Sequence, residues 1–405
     1  MTDFYQTGVV ANLHNLMDRP IEAIEAELLG FSKTNPLGLV LPSLYSELEQ
    51  PALANIVDQL TQVPYLSEIV IGLDRADKAQ YQHSKAYFSK LPQPHKILWN
   101  DGPRLMAIDA QLKAEGLAPI ELGKGRNVWY CYGYVMASRK SSAIAMHDCD
   151  IKTYNRSLLA RLIYPVANPG FRYQFCKGYY ARIAEGQLKG RVCRLLVTPL
   201  IRSLKTVLGD NDYLDFLDSF RYALSGEFSL RTELLNNIRI PSDWGLEIGV
   251  LSELHRNYNT RSVCQVDIAD IYDHKHQPLS EEDAEKGLSK MSIDITKAIF
   301  RKLATNGTVL SEEHFRAIKA TYYRLALDFI EMYSNMAQIN GLKVDRHGEE
   351  QAVELFARNI MKAGELYLNK PHATPFMPSW TRVRAAIPDI LEQLYEAVEL
   401  DSQEM

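Results

Sequence analysis

From Leu37 to Leu44 the chain reads as one continuous apolar stretch, the pattern of a strand buried on both faces of a sheet. Ahead of it, residues 1–36 read as a helical lead-in. Ile21, Ile24, Leu28 and Leu29 recur at helical spacing until Asn35-Pro36 ends the pattern. After it, residues 46–61 read as helix and Glu68 to Leu73 as a second strand that ends at Asp74. A helix over 75–91 leads to a third strand at Lys96-Ile97-Leu98-Trp99, closed by a turn at Asn100-Asp101-Gly102-Pro103. Lys124 to Lys140 predicts another helix. Ala143 to His147 predicts a fourth strand, which runs into Asp148-Cys149-Asp150. Strands alternating with helices predict a doubly wound α/β sheet, whose ligands sit beyond the carboxyl ends of the strands.

Past residue 170 the pattern is mixed. Phe171 to Tyr180 and Ser262 to Ile268 predict strands, and Arg191 to Val207 and Asp243 to Arg256 predict helices. From Ser280 onward almost everything is helical. Ser280-Glu281-Glu282-Asp283 resembles an N-cap, and long amphipathic segments follow at 312–338, 347–366 and 380–399. The expected organisation is an α/β domain over residues 1–270 and a helical section over 271–405.

Composition narrows the chemistry. The chain has 405 residues and a net charge of −5, with no extended basic block, which gives no reason to expect nucleic acid. Its five cysteines are scattered without a CxxC pair, against a zinc site or disulfide framework and in favour of a reducing cytoplasm. No stretch approaches the ~20 apolar residues of a membrane span, and the N-terminus lacks the pattern of a signal peptide. A cytoplasmic location is expected.

Asp148 and Asp150 are the leading candidates for catalysis. Side chains at i and i+2 share a face, so both carboxylates can be aimed at one place. A hard divalent cation takes oxygen ligands and bridges to phosphates; the alternative is a solvated loop. His274, in Tyr272-Asp273-His274-Lys275-His276, could complete a metal site or lie on a surface loop, with His276 as its rival. Leu41-Pro42-Ser43-Leu44-Tyr45-Ser46-Glu47 could hold a nucleotide or cap the next helix. Leu122-Gly123-Lys124-Gly125-Arg126 precedes a helix and could meet an anion, but it is not a P-loop. Lys177-Gly178 through Gly190-Arg191-Val192-Cys193-Arg194 offers close backbone approach and a guanidinium suited to phosphate or carboxylate; the alternative is a basic turn. In Asp243-Trp244-Gly245-Leu246-Glu247-Ile248-Gly249, Glu247 sits among apolar residues and is either paired or functional.

Together these segments resemble the glucosyl-3-phosphoglycerate synthases, retaining glycosyltransferases of the GT-A fold, over roughly residues 37–280. Val40-Leu41-Pro42-Ser43-Leu44 is similar to the family's nucleotide-binding Pro-Ala-Leu-Asn-Glu-Glu segment, with Tyr45 and Ser46 replacing the Asn and first Glu while Glu47 remains. Gly123-Lys124-Gly125 is similar to its Gly-Lys-Gly loop, whose lysine lies near the nucleotide. Asp148-Cys149-Asp150 resembles its Asp-Ser-Asp metal motif, and Gly190-Arg191-Val192-Cys193 its Gly-Arg-Val-Thr acceptor segment. The run around Glu247 resembles Gly-Tyr-Gly-Val-Glu-Ile-Gly, in which the glutamate faces the donor sugar. His274 with the following His276 and Gln277-Pro278 resembles His-Arg-Asn-Arg-Pro, whose first histidine is a metal ligand.

The resemblance implies a GT-A (Rossmann-like) nucleotide-sugar domain with a helical C-terminal section that helps form a homodimer. It implies Mg²⁺ or Mn²⁺ on Asp150 and His274, and nucleotide-sugar contacts from Pro42, Ser43, Leu44, Glu47, Lys124, Asp148 and Cys149. Acceptor contacts would come from Lys177, Gly190, Arg191 and Cys193, with Asp148 and Glu247 at the reacting sugar. The implied reaction moves glucose, with retention, from a nucleotide diphosphate sugar (UDP- or GDP-glucose) to the 2-hydroxyl of 3-phosphoglycerate. Alternatives are mannose as the sugar, glycerate as the acceptor, or a non-catalytic nucleotide-sugar-binding protein.

Overall fold

The computed structural model describes residues 6, 8–17, 19–274, 287–370 and 376–404. Its first half is built from β1 (Ala11–Leu13), α1 (Ile21–Ser32), β2 (Leu37–Leu44), α2 (Pro51–Leu60), β3 (Leu66–Asp74) and α3 (Lys78–Phe88), then β4 (His95–Trp99), α4 (Pro103–Ala114), α5 (Lys124–Ser138), β5 (Ala143–Met146) and α6 (Arg156–Ala167). There follow β6 (Phe175–Ala184), β7 (Gln187–Leu188), a π-helical stretch Val192–Val197 that runs into α7 (Thr198–Leu208), α8 (Asp212–Asp218), β8 (Phe228–Arg231), α9 (Leu246–Asn257) and β9 (Val263–Tyr272). The helical section comprises α10 (Gly287–Thr305), α11 (Glu312–Ile339), α12 (Arg346–Asn369), α13 (Trp380–Ala386) and α14 (Ile390–Gln403).

The main sheet has the order β4-β3-β2-β5-β8-β6-β9-β1, with β7 pairing outside it on β6. Its strands run parallel except β8, which is antiparallel to both β5 and β6. Alternation along the strands explains the continuous apolar runs. Val40, Val70, Leu98, Ile144 and Met146 point into one core, built with α5, α7, α9 and the C-terminal helices. Leu39, Leu41, Ile69, Ile71, Ile97 and Ala145 point into the other, built with α1, α2 and α6. A strand covered on both faces has no polar side to show.

The strands expected at Leu37, Glu68, Lys96, Ala143 and Ser262 are present, and the strand expected from Phe171 begins at Phe175. β1 and β8 were not anticipated. The segment 380–399 is broken in two at Pro388, because proline lacks an N–H and disfavours helical geometry at the residue before it; Ile387 is extended there, with φ −130° and ψ 90°. The expected cap at Ser280 to Asp283 lies outside the described residues.

The helical section shares the first core with the sheet rather than packing apart from it. The Trp129 and Trp380 rings stack 4.2 Å apart. Trp380 Nε1 donates to the Trp129 carbonyl at 3.2 Å, and Trp129 Nε1 donates to the Pro378 carbonyl at 3.0 Å. No helix among the described residues is long and apolar enough to cross a membrane. Trp380→Ala should destabilise the whole molecule by about 3–5 kcal/mol, the usual cost of truncating a buried tryptophan. Urea unfolding followed by circular dichroism would check this, and a loss below ~1 kcal/mol would show that the stack is not a structural tie.

Candidate active site

Asp148, Cys149 and Asp150 follow β5 after His147, at the carboxyl end of the sheet's centre. After β9 the chain returns to the same place: Ile151 and His274 form an antiparallel bridge, and Lys152 N donates to the Asp273 carbonyl at 2.8 Å. Two segments distant in sequence are thereby fixed side by side, with His274 Nδ1 3.5 Å from Asp150 Oδ2. Burial works to raise the Asp150 pKa, but His274 and then Lys124 outweigh it and hold the carboxyl below its ordinary value. Asp150 Oδ1 is buried with no hydrogen-bond partner among the described residues. An ionised, partly unpartnered carboxylate beside an imidazole fits a hard divalent cation. Among the described residues no group of three or more His, Cys, Asp or Glu side chains is placed to hold a metal ion. Protein ligands limited to this pair would leave coordination positions for phosphate and water, as magnesium sites usually do. His276 lies outside the described residues.

Lys124, in the first turn of α5, bridges Asp148 and Glu247. Its ammonium is 2.6 Å from Asp148 Oδ1 and 3.3 Å from Glu247 Oε1. Burial works against the charge, yet Asp148 and Glu247 more than offset it and hold the pKa above that of an ordinary lysine. Glu247 is brought in by the first turn of α9, which starts after Asp243 accepts from Gly245 N at 2.9 Å. The predicted anion loop thus contributes Lys124. Arg126 instead lies buried 3.5 Å from Asp109, its Nη2 3.4 Å from the Asn100 carbonyl.

The expected nucleotide residues lie at the end of β2. Pro42 and Leu44 are half-buried, Ser43 is buried, and Glu47 is buried in the short helical turn Tyr45–Glu49. The Cys149 side chain is buried in the second core, where burial pushes its thiol pKa well up, so only its backbone can face a ligand. Lys177 lies inside the sheet, its ammonium donating to the Ser225 carbonyl at 2.7 Å. Burial pulls its pKa down to about 8, against Glu247 and Glu227, with Lys124 adding to the fall. Gly190 has φ 74°, the left-handed region that glycine adopts without strain. The next residue, Arg191, is partly exposed and pairs with Asp345 at 3.2 Å. Cys193 is buried beside the Ala223 and Leu224 backbone.

The floor beneath these groups, Ser225-Gly226-Glu227, was missed. A Cβ on Gly226 would lie 2.4 Å from Asp148 Oδ2 and 3.0 Å from the Lys124 ammonium, so a side chain there would push the Asp148 carboxylate aside. Glu227 is fully buried and accepts from Tyr272 at 2.7 Å, Tyr180 at 2.8 Å and Ser225 at 3.1 Å. Burial, then nearby Asp148, raises its pKa. The alternation of Glu227-Phe228-Ser229-Leu230 was the available signal, too short to stand out. Also missed was the Asp74–Asn100 pair at the ends of β3 and β4, where Asn100 Nδ2 donates to Asp74 Oδ1 at 2.7 Å.

No family model matches the chain. Among curated proteins it is 45% identical to the glucosyl-3-phosphoglycerate synthase of Persephonella marina over 100% of both chains. It is 41% identical to the enzyme of the same name from Methanococcoides burtonii, over 99% of this chain and 98% of that one. Among solved structures it is similar to glucosyl-3-phosphoglycerate synthase from Mycobacterium tuberculosis in complex with Mn²⁺, UDP-glucose and phosphoglyceric acid. That similarity has a TM-score of 0.53 at 20% identity and covers 75% of this chain and 89% of that one. It is also similar to mannosyl-3-phosphoglycerate synthase from Rubrobacter xylanophilus, with a TM-score of 0.55 at 18% identity over 74% and 83% of the two chains. These two likenesses establish the shared fold, and the full-length identities of 45% and 41% establish that the chain belongs to the glucosyl-3-phosphoglycerate synthase family.

Proposed function

We propose that this protein transfers glucose from a nucleotide diphosphate glucose to the 2-hydroxyl of 3-phosphoglycerate, with retention at the anomeric carbon. The observation that carries the reading is the juxtaposition of the Asp150–His274 pair with Asp148 and Glu247 bridged by Lys124. Mg²⁺ or Mn²⁺ held by Asp150 and His274 would, when bound, neutralise charge on the departing pyrophosphate.

The chain's own residues do the rest. Pro42, Ser43, Leu44 and Glu47 lie at the sheet end where a nucleotide binds in this class of fold. Lys124 places a positive charge beside the triplet, suited to a phosphate oxygen, while holding Asp148 and Glu247 in place. Asp148 contacts ribose or sugar, and Glu247 orients the sugar through its hydroxyls. Lys177, Gly190, Arg191 and Cys193 receive the acceptor and bring its 2-hydroxyl near the anomeric carbon. The new bond joins that oxygen to the anomeric carbon as the bond to the phosphate oxygen breaks. The hydroxyl's proton passes to the departing phosphate. Asp148 and Glu247 are both engaged by Lys124, which supports attack on the face the phosphate leaves rather than through an enzyme-bound sugar. A homodimer belongs to the same proposal: α11 leaves Met332, Met336 and Ile339 exposed on successive turns, apolar surface that a second copy could cover.

A panel of UDP- and GDP-glucose and -mannose against 3-phosphoglycerate and glycerate, with and without Mg²⁺, tests the reaction by released nucleotide. Turnover is expected with a glucose donor, 3-phosphoglycerate and metal together, and to fall by about 100-fold or more in Asp150→Ala. Full metal-dependent turnover in that variant would refute the metal assignment. Lys177 is charged below its pKa of about 8 and loses the proton above it, while Glu247, Glu227, Lys124 and Cys193 surround it. The acceptor KM should therefore rise as pH increases through about 8, whereas a flat profile from pH ~7 to ~9.5 would remove Lys177 from acceptor binding. Light scattering should give twice the chain mass; a monomer at assay concentration would refute the dimer.

A further inference from the structure

The segment leading into Arg191 is held from a distant part of the chain. Beyond β6, the Gly186 carbonyl accepts from Lys343 N at 2.8 Å, and Gln187 forms a parallel bridge with the same residue. Lys343 belongs to the turn between α11 and α12. At the other end of the segment, Arg191 pairs with Asp345, the residue that caps α12 by accepting from Gly348 N. Three residues further on, Arg194 folds back over the segment. Its Nε donates to the Lys189 carbonyl at 2.9 Å, its Nη2 reaches the Leu188 carbonyl at 3.4 Å, and its guanidinium lies 4.7 Å from the centre of the Tyr333 ring. The same Nη2 donates to Glu349 Oε1 at 2.6 Å. Both Arg194 and Glu349 are buried.

The two ion pairs have different physical characters. Arg191–Asp345 is partly exposed, and such pairs contribute little, so an incoming anion can take the guanidinium from Asp345. Arg194–Glu349 is desolvated. Removing Glu349 would leave a buried guanidinium without its counter-charge while that guanidinium still ties down two backbone carbonyls. The segment would then have to move for Arg194 to find water, and Gly190 and Arg191 would move with it.

We propose that Glu349 is a positioning residue for acceptor binding: through Arg194 it fixes the Leu188–Arg191 backbone, so that Gly190 and Arg191 stand ready for the acceptor's anionic group. This rests on the reading of Gly190 to Cys193 as the acceptor segment. It also assigns a task to the helical section, whose α11–α12 corner splints a loop of the transferase domain.

Steady-state kinetics with 3-phosphoglycerate, the nucleotide diphosphate glucose and Mg²⁺ tests it on the full chain. Glu349→Ala should raise the acceptor KM about tenfold or more while the donor KM stays within about twofold. Glu349→Asp, which keeps the charge, should recover part of the loss. An acceptor KM within about twofold of wild type in a folded Glu349→Ala, or donor and acceptor KM rising together, would overturn the proposal. If the alanine variant does not fold, Glu349→Gln is read by the same criteria. Arg191→Ala separates the two levels. If it leaves the acceptor KM unchanged, the acceptor assignment itself fails and the role of Glu349 with it. If it raises that KM while the Glu349 variants do not, only the role of Glu349 is lost.

Discussion

Carboxylates crowd the carboxyl end of this sheet, and the structure must balance their charge. Asp148, Asp150, Glu227 and Glu247 converge there, and among the described residues the ammoniums of Lys124 and Lys177 meet them. Lys124 bears most of the load, bridging two of the carboxylates, which come from the ends of different elements. Glu227 is stabilised by three hydroxyl donors and shifted toward its neutral form by burial. Asp150 stays ionised, and one of its oxygens has no donor among the described residues. A divalent cation would complete the balance, and a pyrophosphate would add the negative groups such a cation needs. The proposed chemistry follows from that electrostatic demand.

The scaffold serves the cluster through strand direction. Parallel β2, β3, β4 and β5 all end on the same side, so residues after each of them meet there. The antiparallel β8 starts where its neighbours β5 and β6 lead, which places the Ser225-Gly226-Glu227 turn under Asp148. β9 runs past residue 270 to Tyr272 and returns His274 to the triplet. The helical section supports this arrangement from behind, through the Trp129–Trp380 stack and the grip of α12 on Arg194.

The sequence made the centre of this picture legible because physics leaves strong marks there. Strands buried on both faces read as unbroken apolar runs, and β2, β3 and β5 were recognisable for that reason. The Asp148-Cys149-Asp150 triplet gained meaning from standing at the end of one of them. β1 spans only Ala11–Leu13, and β8 only Phe228–Arg231; both are defined by partners far away in sequence, so local periodicity could not reveal them. The Lys124 bridge to Glu247 and the Arg194 pair with Glu349 span 123 and 155 residues, and no motif encodes such distances. In the loop before α5 the sequence marked a place for an anion but not which cation faces it: Lys124 meets Asp148, while Arg126 is buried against Asp109.

Binding of Mn²⁺ in the presence of UDP, followed by electron paramagnetic resonance, tests the electrostatic account most directly. The account predicts one tight site per chain in the native protein and affinity at least about 10-fold weaker in both Asp150→Ala and His274→Ala, the scale on which even outer partners of a metal site act. Undiminished Mn²⁺ binding in both variants would contradict it, because the Asp150 carboxylate and its neighbouring imidazole would then not be what holds the cation.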